Sequence, residues 1–514
     1  MVRGSTIVAG AVAPAFLALC ATAIAQPTLV ATINEPTVTA DSHFGWAIGT
    51  DGFTLGVANR RVISAGVTQN TVYLYEDGTS GWSLVKTLTG FTTSDRVWEI
   101  VFDDDTLAIS DKRSDIYDTD GGIVWMYQRD STTGLWPSTP TQTLAPPASP
   151  DTCQNFGQSI AIDGDLMVVS AHGRYNGSGE RTGWAYAYQR DNASSPWHLV
   201  GDLDPGFTNS YLVFAQCALT LEVPRFGTSV ATDNGRFVIS AAGADHGGSP
   251  GMPVADKDWG FLAYVGSDLL VSNPGTDPVG SPAPFEEVLE FGPATIDTYG
   301  QQIAMQGSLI AIGNRGKTGT ANEGVLVYYG DGGSPEQWTT TPVVIADPNP
   351  GTGASNIAGK MGFSEDLIIT STNSWNTPEL PEAYVFRRNM GGCEGWGLVA
   401  ELTDPDMKPT SSPLPGIGGG LANKRGVEIV GRTVFLAGAW DDIGSDTFAG
   451  SVYIYTIPDC PGDIDGDLDA DSDDLDSFAT LFLASDPAAD VDCDSDWDLD
   501  DIDAFVDMFL LGCS

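Results

Sequence analysis

The chain has 514 residues, of which 42% are hydrophobic, so it is long enough for more than one domain and apolar enough to bury a sizeable core. A wholly disordered chain is therefore excluded. Lys and Arg number 23 against 68 Asp and Glu, which gives a formal net charge of −45. This charge argues against a nucleic-acid partner and against an anchor on an anionic membrane, and it favours cations as small partners.

Residues 1–25 predict a secretory signal peptide. One positive side chain, Arg3, precedes an apolar run from Thr6 to Cys20, and Ala23-Ile24-Ala25 forms a small-x-small cleavage site. A retained anchor is the alternative. No later segment reaches 18 apolar residues, so we expect a secreted protein, extracellular or associated with the cell surface, with no membrane span in the mature chain.

Removal of this segment leaves an even number of cysteines in a compartment where disulfides persist. Six cysteines allow 15 pairings, so the connectivity stays open, and their spacing does not match a zinc site. One hypothesis joins Cys460 to Cys513, which bracket the C-terminal segment, and another joins Cys153 to Cys217. The six cysteines are Cys153, Cys217, Cys393, Cys460, Cys493 and Cys513.

A repeated unit fills residues 26–457. Its clearest copy reads FGQSIAIDGDLMVVSAH from Phe156, then GWAYAYQR from Gly183 and WHLVGDL from Trp197. Alternation of Val, Ile, Tyr and Phe between Gly and Asp turns predicts four antiparallel strands in each unit. Three further copies open at Phe44-Gly45, Phe226-Gly227 and Tyr299-Gly300, and three degenerate copies begin at Trp98, Gly362 and Val427.

Seven such units predict a mainly β fold, a seven-bladed β-propeller, since radial packing leaves only short, protected sheet edges. The last unit runs from Tyr455 into Pro458 without a fourth strand. We expect Thr28 to Ile33, just after the cleavage site, to supply that strand and close the ring. Two stacked open sandwiches are the alternative.

The Phe-Gly openings followed by aliphatic and aromatic strands resemble the FG-GAP repeat family, the seven-bladed propeller of integrin alpha subunits and many bacterial secreted proteins. The resemblance covers residues 28–457 and implies a recognition or adhesion function. Many members hold calcium in an Asp-rich hairpin between the first two strands. Here that hairpin reads TDG, IDGD, TDNG or QGS, so we do not carry the family's calcium sites onto these blades.

Residues 458–514 predict a separate metal-binding module. From Cys460 onward this segment holds 18 Asp and no Glu, Lys or Arg, so it would repel itself unless cations neutralised it. Two windows place Asp at positions 1, 3, 5, 7, 9 and 12, the spacing by which a 12-residue loop surrounds calcium. The first has Asp463, Asp465, Asp467, Asp469, Asp471 and Asp474; the second has Asp490, Asp492, Asp494, Asp496, Asp498 and Asp501.

An apolar helical face follows each window, so we expect a small all-α domain of two paired loop-helix units with about two calcium ions. Because Asp recurs at nearly every second residue, a frame shifted by two is also possible. An unstructured acidic tail is the alternative. The spaced phenylalanines argue against it, because disordered acidic segments contain few aromatic residues. The apolar positions are Leu475, Phe478 and Phe482, then Ile502, Phe505, Val506 and Phe509.

The duplicated loop-helix resembles a dockerin module of the type that opens with Cys-Pro and ends in Gly-Cys, here Cys460-Pro461 and Gly512-Cys513. The resemblance implies a cohesin-like or other surface receptor as partner. It departs from the calcium-loop pattern at place 6, where Leu468 and Ser495 replace Gly. Asp at place 12 instead of Glu is usual in dockerins.

No residue is assigned to catalysis. Ser170 and His172 are close enough in sequence to suggest a nucleophile-base pair. We discount this pair because the other repeats have no such His. Five residues of long loops on one rim are candidates for ligand contact or are ordinary loop residues: Arg174, Arg181, Arg315, Trp375 and Trp440. Five tryptophans recur in register and are interpreted as packing residues rather than sugar platforms: Trp82, Trp136, Trp197, Trp338 and Trp396.

The sequence thus predicts a secreted calcium-binding protein whose propeller recognises a protein or glycan and whose C-terminal module anchors it to a surface or assembly. One alternative is an enzyme, an O-glycosyl hydrolase tethered by its dockerin to polysaccharide. A second alternative is a structural component of the cell envelope. An acid pair on one rim would favour the enzyme.

Overall fold

A computed structural model describes most of the chain outside the predicted signal peptide, which lies outside the described residues together with several loops. The described ranges are 27–64, 67–91, 97–147, 152–175, 182–203, 225–245, 259–266, 287–290, 298–315, 324–331, 338–339, 341–348, 357, 359–371, 383–389, 395–402, 426–460, 462–464, 470–491 and 496–512.

The described strands form seven antiparallel sheets, here called blades, in chain order. The chain starts with β1 (Thr28–Asn34). Blade 1 holds β2 (Ala47–Thr50), β3 (Thr54–Ala58), β4 (Arg61–Ser64), β5 (Val67–Gly78) and β6 (Gly81–Phe91). Blade 2 holds β7 (Glu99–Asp103), β8 (Thr106–Asp111), β9 (Ile123–Gln128) and β10 (Gln142–Leu144). Blade 3 holds β11 (Phe156–Asp163), β12 (Leu166–Ala171), β13 (Ala185–Gln189) and β14 (His198–Leu203).

The remaining blades follow the same order of strands. Blade 4 holds β15 (Phe226–Asp233), β16 (Arg236–Asp245), β17 (Trp259–Gly266) and β18 (Glu287–Glu290). Blade 5 holds β19 (Thr298–Gln306), β20 (Leu309–Arg315), β21 (Gly324–Tyr329) and β22 (Val343–Ala346). Blade 6 holds β23 (Met361–Ser364), β24 (Leu367–Ser371), β25 (Ala383–Arg388) and β26 (Trp396–Leu402). Blade 7 holds β27 (Val427–Val430), β28 (Thr433–Gly438) and β29 (Ser451–Thr456).

The first strands of the blades lie innermost and contact one another in a closed circle. The order of contact is β2, β7, β11, β15, β19, β23, β27 and back to β2. Buried apolar clusters fill the spaces between neighbouring sheets. This arrangement is a β-propeller, as the repeats predicted.

The N-terminal strand closes the ring. β1 pairs with β29 from Thr28 opposite Thr456 to Asn34 opposite Ser451, which makes it the outermost strand of blade 7. The prediction that the chain start completes the last blade is confirmed. Closure matters because it ties the two ends of the ring by backbone hydrogen bonds and leaves no open first or last blade.

Blade 1 differs from the four strands predicted for every unit. The segment between its second and third strands extends into a hairpin, in which Arg61 pairs with Gln69 and Val62 with Thr68. β5 is therefore 12 residues long and carries β3, β4 and β6. The Val- and Thr-rich sequence of this segment favours extended backbone, which accounts for the additional strand pair.

The Phe-Gly openings join neighbouring blades. The amide of Phe156 donates to the carbonyl of Gly121 at 3.0 Å, and Phe156 pairs with Gly122 across the blade boundary. A Cβ on Gly122 would lie 2.1 Å from the Phe156 carbonyl oxygen, so only glycine fits there. Phe226 and Phe44 make the same amide bond, to Thr182 at 3.0 Å and to Ala449 at 2.9 Å.

Hairpin aspartates form a second set of bonds between blades. The carboxylate of Asp103 accepts from the amide of Gly164 at 2.9 Å, Asp163 accepts from Gly235 at 2.6 Å, and Asp233 accepts from Gly307 at 2.6 Å. Each glycine lies in the first hairpin of the next blade. These hairpin aspartates thus hold neighbouring blades together.

Two helices follow the propeller. α1 (Ser472–Ala484) and α2 (Leu499–Leu511) are joined through a short 3₁₀ helix (Pro487–Ala489). Phe478 and Phe505 stack at 4.1 Å with an interplanar angle of 9° and form the centre of a small apolar core. Among the described residues, no helix has both the length and the apolar character required to cross a membrane.

We expect ring closure to depend on one buried side chain of β1. Ile33 is 7% exposed and packs between blade 7 and blade 1, whereas Val30 on the same strand is 54% exposed. Ile33→Ala should cost about 2–5 kcal/mol of unfolding free energy because it leaves a cavity. Val30→Ala, the matched control, should cost less than about 0.5 kcal/mol. Equal midpoints of thermal unfolding for the two variants would contradict this account of closure.

The buried carboxylate of Asp103, which accepts from Gly164, should make the free energy of unfolding depend on pH. Burial raises the pKa of Asp103, and the Gly164 amide opposes that rise. The folded state therefore binds the proton more tightly than the unfolded state does. The contribution of Asp103 to wild-type stability is therefore lost as pH rises from the pKa of the unfolded chain through the folded pKa.

Asp103→Asn keeps an acceptor for Gly164 and removes the buried charge, so at pH 7 it should be at least as stable as the wild type. Its advantage should shrink on acidification and vanish below about pH 4. Asp103→Ala, which loses the acceptor, should be less stable than Asp103→Asn at both pH values. Thermal unfolding of the three proteins at pH 7 and pH 4 tests this; an advantage of Asp103→Asn that grows in acid would refute it.

Candidate metal centre and loop rim

Both helices of the C-terminal module start at an aspartate that caps them. Asp471 caps α1 and Asp498 caps α2, each with extended backbone and each in a capping box with an aspartate three residues later. In the first box, the carboxylate of Asp474 accepts from the amide of Asp471 at 2.8 Å. In the second, Asp501 accepts from Asp498 at 3.0 Å. Negative charge at a helix N-terminus is favourable, so these caps fix where each helix begins.

The two loop-helix units repeat the same hydrogen bonds 27 residues apart. The second carboxylate oxygen of Asp474 accepts from the amide of Ile464 at 2.7 Å, and that of Asp501 accepts from Val491 at 2.7 Å. Each of these aspartates is 1% exposed. Both oxygens of each carboxylate are thereby held in a fixed plane.

In the second loop the structure brings three carboxylates together. Ligand oxygens of Asp496, Asp498 and Asp501 all lie within 4.8 Å of one another. Asp496 and Asp498 are exposed and Asp501 is buried. An all-carboxylate set of this size suits a hard divalent cation such as Ca²⁺ or Mg²⁺ rather than a softer metal.

Seven of the twelve predicted ligands are described. In the first loop these are Asp463, Asp471 and Asp474, of which Asp463 and Asp474 are buried. In the second loop the described ligands are the three clustered aspartates and Asp490, which is 9% exposed. The other five predicted ligands lie outside the described residues: Asp465, Asp467, Asp469, Asp492 and Asp494.

Two of the predicted apolar helix positions do not enter the core. Leu475 is 42% exposed and Val506 is 38% exposed. Phe478 and Phe505 are buried, and Phe482, Ile502 and Phe509 pack around them. The buried stripe of each helix is therefore narrower than the apolar pattern predicted.

The first residues of the module are tightly packed. Cys460 is fully buried and disulfide-bonded, and Cys153 is disulfide-bonded as well. Cys513 and Cys217, the partners considered from the sequence, lie outside the described residues. A Cβ on Gly462 would lie 2.5 Å from the Cα of Phe509, so the start of the module lies directly against the end of α2.

On the propeller, several candidate rim residues have structural partners. Arg174 stacks on Trp184 at 3.9 Å, hydrogen-bonds to the Tyr186 hydroxyl and lies 3.7 Å from Asp202. Trp440 packs on His43 at 4.4 Å. These contacts make both residues part of the rim framework. Arg181 and Trp375 lie outside the described residues, as does the side chain of Arg315.

The sequence did not point to an exposed, hydrogen-bonded turn in the same rim. Between β8 and β9, Ile116 is 56% exposed and Tyr117 is 51% exposed. The turn is held by its own side chains, since Asp115 accepts from the amide of Asp120 at 2.8 Å and Ser114 accepts from Ile116 at 3.3 Å. The sequence feature that could have indicated this turn is Tyr117 between Asp115 and Asp118, in a loop that ends in glycine.

Ser170, which the sequence offered as a nucleophile, has a structural role. Its hydroxyl donates to the carbonyl of Ser159 at 3.2 Å and accepts from the Ser159 amide at 3.0 Å. Ser240 does the same for Ser229 in blade 4. The recurrent tryptophans also pack within the fold: Trp136, Trp197 and Trp338 are at most 6% exposed.

An axial cavity of about 260 Å³ lies inside the ring. Its charged side chains are engaged with the surrounding strands. Glu99 accepts from the amide of Ile160 at 2.8 Å, and Lys360 pairs with Glu428. These carboxylates therefore bind neighbouring blades to one another.

Residues 150–188, which span most of blade 3, match the FG-GAP repeat. No curated protein matches the chain. The chain thus carries an FG-GAP repeat within a β-propeller.

Solved structures show similarity at low identity. A chain of a mitotic checkpoint complex is 11% identical, over 88% of this chain and 99% of its own, with a TM-score of 0.41. Sqt1 of Saccharomyces cerevisiae is 12% identical, over 84% and 100%, with a TM-score of 0.37. The periplasmic gluconolactonase PpgL of Pseudomonas aeruginosa is 15% identical, over 73% and 86%, with a TM-score of 0.42. At these values they carry no argument about activity.

Proposed function

We propose that this is a secreted binding protein in which the propeller rim recognises a protein or glycan and the C-terminal module attaches the protein to a surface or assembly in a calcium-dependent manner. The module would be dockerin-like, and its receptor cohesin-like. The cluster formed by Asp496, Asp498 and Asp501 carries the calcium part of this proposal.

The helix caps support the calcium frame that begins at Asp463 and Asp490. In a 12-residue calcium loop, place 9 precedes the exit helix and place 12 lies in its first turn. Asp471 and Asp498, at place 9 of the two windows, are the N-caps, and Asp474 and Asp501, at place 12, are the third helical residues. A frame that begins two residues later would put places 9 and 12 at Asp473 and Asp476, both inside α1.

Charge supports the same conclusion. The segment from Cys460 contains 18 Asp and no basic residue, so its folded form concentrates like charges. Two bound divalent cations would offset part of this repulsion, and binding to the folded form alone stabilises it by mass action. We therefore propose about two calcium ions per chain.

For attachment, the helices offer exposed leucines. Leu483, Leu499, Leu510 and Leu511 are 72–85% exposed at the helix ends. Apolar side chains at this exposure fit a contact with a partner protein. We propose that they contribute to the receptor-binding surface.

For recognition, the proposal rests on the exposed pair Ile116 and Tyr117. A rigid aromatic side chain loses little conformational entropy on binding, and Tyr is enriched among residues that dominate binding energy. The turn lies on the end of the ring that carries the long loops between second and third strands.

Calcium binding is tested by titration calorimetry of the full chain, with helical circular dichroism in calcium and in chelator. We expect about two sites, and more helix with calcium. Asp501→Asn should lose one site, because it removes a charged ligand oxygen from the second loop. Asp507→Asn, an exposed residue of the same helix, is the matched control and should bind like the wild type. Identical titrations for the two variants, or no saturable binding by the wild type, would exclude the proposal.

Rim recognition is tested by a panel of immobilised polysaccharides, glycans and surface-protein extracts probed with the full chain. Tyr117→Ala should weaken binding to a positive probe by about tenfold, the effect of losing about 1.4 kcal/mol. Leu135→Ala removes an apolar residue that is 67% exposed on the opposite face, and it should leave binding unchanged. Equal loss in both variants would argue against the rim as the binding surface.

A further inference from the structure

The peptide that joins the propeller to the C-terminal module is bound at each of its four residues. After β29 ends at Thr456, the amide of Ile457 donates to the carbonyl of Arg432 at 2.8 Å. Arg387 donates to the carbonyl of Pro458 at 3.1 Å and also to that of Cys460. The carboxylate of Asp459 pairs with Arg432 at 2.7 Å and lies 3.8 Å from Arg387.

Arg387 and Arg432 form one charge cluster with Asp366 of blade 6. Asp366 lies 3.0 Å from Arg432 and 3.5 Å from Arg387. The Arg387 side chain is only 7% exposed. Burial and the neighbouring Arg432 lower the pKa of Arg387, and Asp366, Asp459 and Asp463 oppose this effect. A buried guanidinium is stable only with counter-charges and hydrogen-bond acceptors, and the joining peptide supplies several of them.

Arg387 departs from the repeat where this peptide passes. In blades 2 and 3 the third strand ends at Gln128 and Gln189, each followed by an arginine, but in blade 6 the same two places hold Arg387-Arg388. The register is the same, because the amides of Arg129, Arg190 and Arg388 each donate to a carbonyl in their own blade's first hairpin. Gln128 uses its side-chain amide within that hairpin, at 2.9 Å from the Asp105 carbonyl. In blade 6, an arginine therefore stands where blade 2 has a glutamine, which bonds to its own hairpin and also accepts from Arg190 of blade 3.

The contacts lie on one face of the ring. Asp366 lies in the turn between β23 and β24, Arg432 lies in the turn between β27 and β28, and Arg387 is near the end of β25. In an antiparallel blade these three places share an end, and the loops between second and third strands lie at the other end. The joining peptide is thus bound on the face opposite the loop rim.

The bound peptide continues into the module without a free spacer. The amide of Asp463, the first residue of the first acidic loop, donates to the carbonyl of Cys460 at 3.2 Å. Gly462 lies against Phe509 of α2. The described contacts therefore run from two blades through residues 457–460 to the core of the helical pair.

We propose that the hairpin face of blades 6 and 7 is a docking surface for the chain's own C-terminal module, in which Arg387 and Arg432 clamp residues 457–460. The module is then a fixed extension of the propeller, and its helices lie on the opposite side of the ring from the recognition loops. The clamp depends on contacts within the polypeptide, so it stands whether or not the module binds calcium.

Hydrogen-exchange mass spectrometry of the full chain tests the clamp. Peptides covering residues 457–463 should exchange slowly in the wild type. In the double variant Arg387→Gln/Arg432→Gln they should exchange about tenfold faster or more, since charged hydrogen bonds are lost, while peptides from blades 2 and 3 remain unchanged. Arg129→Gln removes a comparable arginine, paired with Glu76 at 2.7 Å in another part of the ring, and should not affect residues 457–463.

Unprotected amides at 457–463 in the wild type, or unchanged protection in the double variant, would overturn the proposal. The single variant Arg387→Gln guards against loss of the fold, because it installs the residue that blades 2 and 3 carry at this place. It should raise exchange at 457–463 in a protein whose blades stay protected, and unchanged exchange there would again overturn the proposal. Calcium binding is measured separately by the Asp501→Asn titration, so failure of either proposal is distinguishable from failure of the other.

Discussion

The molecule depends on hydrogen bonds that cross from the innermost strand of one blade to the next. The edge strands of a four-stranded sheet leave backbone groups unpaired, and the packing of one sheet against its neighbour is apolar and non-directional. Direction comes from polar side chains near the axis. Ser159 accepts from the amide of Val230 at 3.2 Å, and Ser229 accepts from Ile303 at 3.3 Å. With the hairpin aspartates, these bonds fix the angle between blades, so the positions of the rim loops and of the clamp follow from them.

Local and repeated features of the propeller could be predicted from the sequence. Strand alternation and the Phe-Gly openings identified the units, and the missing last strand identified β1 as its replacement. The bonds made by Asp103, Asp163 and Asp233 could not be predicted, because their partners are glycine amides about 60–75 residues away. A hairpin aspartate in a single sequence is equally typical of a turn, a metal loop or a bond to the next blade.

For the acidic module, spacing predicted more than composition did. The 27-residue offset between the two windows predicted two equivalent units, and the paired bonds to Asp474 and Asp501 repeat that offset. The helices nevertheless begin three residues before Leu475 and Ile502, because Asp471 and Asp498 cap them. The role of Arg387 was not predicted, since a doubled arginine at a strand end has no distinctive periodicity. Only comparison of the blades in register shows that it replaces a glutamine.

The arrangement of these elements constrains how the proposed attachment and the proposed recognition can be combined in one chain. The end of the blades that bears the Asp–Gly bonds also binds residues 457–460, so the first hairpins of blades 6 and 7 would serve as the base for the module. The opposite end carries the variable loops, whose lengths change without disturbing the bonds near the axis. A ligand held at Tyr117 and a receptor held at the helices would therefore approach from opposite sides of the ring. Neither would need to displace the other, because the ring of blades lies between them.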